Sequence, residues 1–309
     1  LLLALLGGLV ASAIGLVALN RYQVDRNAGG LAKMARQRLQ AGKTAEAINL
    51  FARYLGMRPD DAAVHSEYAE LLLDRANAMD ATQGDLSRTY NSLEEAVRRD
   101  PKNSALRRRL AEFQVRVGRY ADAREHLNVL SAALQASAGQ EKETATDGQA
   151  AAERIDPADI KLLMARSFAG DGEFDEASRL ASELCAYDIQ ARAFDPGRTP
   201  ADSTDAYVLL ASILQERIRD ADAADAVIEK LVERRPDDAR AWLALSRWHR
   251  DRQDLAKATT EMEKALQLGP DDANVLFGAF ELALMKQDLD EAERIATRAR
   301  ELFAADERV

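Results

Sequence analysis

Pro236-Asp237-Asp238-Ala239 recurs 34 residues later as Pro270-Asp271-Asp272-Ala273, and Pro59-Asp60-Asp61-Ala62 carries the same phrase far upstream. Self-similarity at a fixed period marks a chain built from stacked units that cannot bury their apolar faces singly. Each residue of the phrase has a local task. Proline lacks an N–H and clashes with the carbonyl four residues back, so it stops the preceding helix. The aspartates that follow are natural N-caps for the next one. The phrase therefore reads as a boundary between helices.

Before Pro270 stand Trp242, Leu245, Ser246, His249, Ala258 and Met262. Their spacing resembles the tetratricopeptide repeat, a pair of antiparallel helices in 34 residues. Numbering each unit 1 to 34 with the proline at 32 gives units 28–61, 62–103, one from Ser104, one from Ala158, then 205–238, 239–272 and one from 273. The second unit is eight residues too long, with the excess near Asp74–Gln83. In the family, position 8 on the first helix faces position 20 on the second, and small side chains there let the helices close. Position 20 is Ala47, Ala123, Ala177, Ala224, Ala258 and Ala292, with Thr89 the exception. Position 8 is small in six units, Ser212 being its occupant in the fifth; Phe280 departs from it in the seventh. The fold expected is all-α, a right-handed superhelical solenoid of about seven such hairpins preceded by one transmembrane helix.

That membrane helix is read from Leu1–Leu19, which carries no charge. Nineteen helical residues reach about 28 Å, close to the thickness of a bilayer core. Asn20-Arg21-Tyr22 supplies a polar, basic and aromatic edge. Ala11-Ser12-Ala13 has the form of a cleavage site, so a signal peptide is the competing reading of residues 1–20. Residues 21–137 then hold units one to three, 138–157 a mobile linker, and 158–309 units four to seven. The last unit has no capping helix, and solenoids need a capped end, so the array is expected to continue past Val309. Asp195-Pro196-Gly197 and Thr199-Pro200 mark a second interruption, read as a loop.

Composition agrees with helices. Alanine is close to a fifth of the 309 residues, and the 16 glycines and 7 prolines are too few for a turn-rich β protein. The net charge of −10 disfavours general nucleic-acid binding, which needs a basic face. The single cysteine, Cys185, allows no internal disulfide.

Chemistry is hard to find. The phosphate-loop, dinucleotide, zincin and CxxC patterns are all missing from the sequence. Asp171–Glu176 fails the spacing of a calcium loop, because positions six and twelve would be Glu176 and Ser182. Asp220, Asp222 and Asp225 sit at a helix turn, where capping acids belong. Ser246 and His249 occupy packing positions of the repeat, and Cys185 reads as a structural thiol. No catalytic residue, cofactor or metal is expected, and no small-molecule substrate.

Binding is the better expectation. The resemblance implies a concave face lined by the first helices, with positions 2, 5, 9 and 12 meeting a partner. Here those include Arg108 and Glu112, Arg166, Leu209 and Ile213, then Arg240, Leu243, Arg247 and Arg250, and finally Phe277 and Glu281. Arginines mixed with apolar side chains suit an extended peptide bearing acidic groups. A Lys/Asn clamp for a terminal carboxylate, known in the family, is not present: its positions hold Ala32 and Arg36, and Ser66 and Glu70. The function expected is a non-enzymatic, membrane-tethered scaffold for proteins or peptides. The alternatives are an exported soluble adaptor and the recognition arm of an enzyme whose catalytic domain lies beyond Val309.

Overall fold

The computed structural model describes residues 28–78, 80–140 and 155–303. The expected anchor at 1–20 lies outside them, as does most of the expected linker. Among the described residues no helix is long and apolar enough to cross a membrane.

Fourteen helices form among the described residues. They are α1 (28–40), α2 (Thr44–Met57), α3 (Ala62–Ala76), α4 (Gln83–Arg99), α5 (Ser104–Arg116), α6 (Tyr120–Gln140), α7 (Pro157–Asp171) and α8 (Phe174–Cys185). Then follow α9 (Thr204–Ile213), α10 (Ala221–Arg234), α11 (Ala239–Asp251), α12 (Leu255–Leu268), α13 (Ala273–Met285) and α14 (Leu289–Leu302). Contacts divide the chain inside α5, into one compact unit up to Leu110 and a second from Ala111.

The boundary aspartates do cap helices. Asp61 accepts a hydrogen bond from the Val64 N–H, Asp238 from Arg240, and Asp272 from Asn274 and Val275. Ser203 and Asp220 cap α9 and α10 in the same way, removing orphan N–H groups that would otherwise cost about 1 kcal/mol each. Gly42, Gly118 and Gly172 take positive φ where the chain reverses between helices.

In the N-terminal unit, α3 packs on α4, and Thr89 fills the position that alanine holds elsewhere. Its hydroxyl donates to the Leu72 carbonyl at 2.9 Å and the Asp85 carbonyl at 2.8 Å, so the buried oxygen is satisfied. In the C-terminal unit, α7 packs on α8, α11 on α12 and α13 on α14. The six position-20 alanines are all buried. Ser246 at position 8 donates to the carbonyl of Ala258 at position 20, at 2.7 Å, a direct mark of the close approach.

The fifth repeat departs from the expected register. Ala211, not Ser212, is fully buried on α9, and Ser212 is half-buried. The reason is one additional residue. The helix begins at Thr204, and a π-helical turn, Leu214–Ile218, takes up the surplus before Arg219 closes it with φ 63°. In the seventh repeat Phe280 is partly buried, while Gly278 and Ala279 are buried against α11 and α12. The interruption after α8 is more than a loop: Tyr187–Asp188 and Ala193–Phe194 pair as a short antiparallel ribbon. The Tyr187 and Phe194 rings meet edge-on at 4.9 Å.

Candidate functional site

Helices α9, α11 and the start of α13 line a groove of about 850 Å³ in the C-terminal unit, within the size range of ligand clefts. Its apolar surface comes from Val208, Ile228, Leu243, Ala244 and Trp248. The register shift decides which face of α9 looks into it. Val208, Ser212 and Gln215 line the groove. Leu209 packs partly buried against the core, and Ile213 is 4% exposed. Both had been expected on the binding face, and the extra residue turns each away by one position.

On α11 three of the four residues expected at the binding face border this groove. Arg240, Leu243 and Arg247 line the groove, while Leu243 is buried by the approach of α13 at Gly278. A Cβ at Gly278 would stand 2.5 Å from Leu243 Cδ1 and 3.7 Å from Arg247 Nε. Arg250 sits apart, donating to Glu281 at 2.8 Å and pairing with Asp251. Burial would depress its guanidinium, but those hydrogen bonds hold it above its ordinary value. Glu281 is thereby engaged, and Phe277 stands 58% exposed on α13. Arg166 reaches Asp205 at 2.8 Å, tying α7 to the start of α9. Arg108 and Glu112 lie half-buried on α5, and neither is free of partners.

The far wall is a locked network that composition alone does not reveal. Trp248 Nε1 donates to Asp225 at 2.8 Å. Arg252 stacks 4.3 Å over the Trp248 ring and bonds both Asp225 and Gln215 of the π turn. Asp225, weighed from sequence as a capping acid, is therefore a clamp between α10 and α11. At the other end Arg235 bonds Thr204 at 3.2 Å and pairs with Asp202 and Asp238, and Arg240 reaches Asp272 at 3.4 Å. Arg247 is different: it has no ion pair or hydrogen bond among the described residues.

Behind the groove, His249 Nδ1 meets Glu261 at 2.8 Å, both side chains buried. Burial raises the Glu261 carboxyl, opposed by the His249 contact. Cys185 is fully buried, and burial pushes its thiol up, which makes it a poor nucleophile. Among the described residues no group of three His, Cys, Asp or Glu is placed to hold a metal. Asp171 and Glu173 both reach Arg124, and Asp220 pairs with Arg192 at 2.5 Å.

A chain of paired helices with this boundary phrase defines a helical-repeat protein. Tetratricopeptide repeat models match residues 33–81, 80–141 and 209–273, together more than half of the sequence, and the chain belongs to that family. A tetratricopeptide repeat protein from Parabacteroides merdae shares the fold, with a TM-score of 0.54 at 13% identity, over 90% of this chain and 93% of its own. MamA from Desulfovibrio magneticus RS-1, from residue 41 onward, aligns at 15% identity and a TM-score of 0.45, covering 67% of this chain and 93% of its own. No curated protein matches the sequence.

Proposed function

We propose that the protein is a non-enzymatic interaction scaffold that holds a segment of a partner protein in the groove between α9, α11 and α13. The observation that carries this reading is the groove itself. It is large, mixes apolar with polar surface, and is walled by side chains already fixed by internal ion pairs. Such prearrangement lowers the ordering cost of binding. Filling the groove is the test. Ala244→Trp would fill part of it and should abolish crosslinking to partners captured by the native chain, with the thermal melt preserved. Equal capture by both chains would refute the reading.

Tethering to a membrane is part of the proposal, supported by the uncharged run Leu1–Leu19. A tether would raise the local concentration of whatever the groove holds. The full chain should stay with membranes through an alkaline carbonate wash, and residues 21–309 should be released. Release of both would remove the tether from the account.

A further inference from the structure

Charge pairing in the groove is nearly complete, and what it leaves over has a pattern. Arg235, Arg240 and Arg252 each face an internal acid, as do the lining acids Asp202, Asp205 and Asp238 with an internal arginine. Asp251 is held by Arg250 at 3.0 Å. Two lining charges remain without a hydrogen bond or ion pair among the described residues: Arg247 of α11 and Glu216 of the π turn.

Arg247 is half-buried, with its Nε against α13 at Gly278. A guanidinium removed from part of its water and given no partner is a standing demand for an anion. Glu216 is exposed at the opposite end of α9 from the Ser203 cap. Val208, Leu243 and Ala244 add apolar surface to the same groove.

From this leftover pattern we propose that the groove selects a polypeptide segment carrying one acidic side chain for Arg247, one basic side chain for Glu216 and apolar side chains for the rest of its lining. This rests on the groove reading above and sharpens it. A uniformly acidic segment would set one of its charges against Glu216, and a uniformly basic one would meet Arg247. Discrimination between partners thus comes from repulsion as well as attraction. The anion is a side-chain carboxylate, which accepts hydrogen bonds from a guanidinium.

The test uses a random twelve-residue peptide library displayed on phage and selected on the full chain. Enriched peptides should share an acidic residue, a basic residue and at least one apolar residue. Selection on Arg247→Glu should replace the acid by a base, and selection on Glu216→Lys should replace the base by an acid. A synthetic copy of an enriched peptide, titrated by the fluorescence of Trp248, should lose at least tenfold in affinity when its Glu is changed to Gln. Replacing that Glu by phosphoserine should weaken binding; tighter binding would overturn the choice of a carboxylate. Enrichment of peptides with no shared charge, lost on Ala244→Trp, would overturn the charge selection and leave the groove standing. No enrichment on any chain would overturn both.

Discussion

Gly278 offers the sharpest test of how α13 closes on α11. Replacing it with valine puts a Cβ 2.5 Å from Leu243 Cδ1 and 3.2 Å from Met262 Cε, before either γ-methyl is placed. Leu243 and Met262 are each 4% exposed, so their methyl ends have little room to retreat. Overpacking of this kind costs about 1–3 kcal/mol, and two further methyls put Gly278→Val near the top of that range. Leaving glycine returns a few tenths of a kcal/mol in helix propensity. The expected net loss is about 2–3 kcal/mol. Gly278→Ala should lose less, because alanine recovers about 1 kcal/mol of propensity. The control is Gly56→Ala at an exposed position of α2, where nothing lies within 4 Å of the added Cβ; it should gain about 0.4–1 kcal/mol. Urea unfolding followed by circular dichroism reads both, and tryptophan fluorescence follows the C-terminal unit that holds Gly278, since Trp242 and Trp248 are the only tryptophans and both lie on α11. With a slope of about 2 kcal/mol/M, valine should lower the midpoint by about 1 M. A midpoint at or above that of the native chain would refute the close approach.

Three further outcomes follow from the same contacts. Ala224→Leu, at a fully buried contact between α9 and α10, should cost about 1–3 kcal/mol by overpacking, read by the same urea titration. Glu261 has its carboxyl raised chiefly by burial, so its contribution is fully present below the unfolded carboxylate value and is lost as pH rises through its folded one; relative to Glu261→Gln, the native chain should lose stability from about pH 4 upward, and the opposite slope would contradict its burial. Asp61 moves the other way: burial opposes ionisation, but bonds from Tyr54 at 2.5 Å and from the Val64 and Ala63 N–H groups outweigh it and depress its carboxyl. Its contribution is present above the unfolded value and fades as pH falls through the folded one, so Asp61→Ala should cost about 0.5–2 kcal/mol at pH 7 and progressively less in acid.

The repeat was legible because close helix packing constrains residue type. Ala47, Ala123, Ala177, Ala224, Ala258 and Ala292 are buried where the 34-residue phase puts them, and Thr89 joins them by satisfying its hydroxyl on Leu72 and Asp85. The groove-lining side of α11 was legible for the same reason, as Arg240, Leu243 and Arg247 follow the Asp238 cap at fixed offsets. The α9 face was not. Counting back from Pro236 assumes a regular hairpin, and a π turn needs neither glycine nor proline to announce itself: Leu214–Ile218 reads as ordinary helix. The cue was the Ser203 cap, which fixes the helix start one residue earlier than the period does. The Trp248–Arg252–Asp225–Gln215 network was equally hidden, because its members come from three separate elements whose meeting depends on that same turn.

Cysteine accessibility on α9 tests this register, and with it the makeup of the groove, most directly. In the folded full chain Cys185 is buried and stays unlabelled by a maleimide, and its labelling in urea reports unfolding. Ser212→Cys should label readily in the native state, and the attached group should block binding of a groove peptide. Ile213→Cys should label only on unfolding. Rapid native labelling at 213 with protection at 212 would contradict the register and the groove built on it.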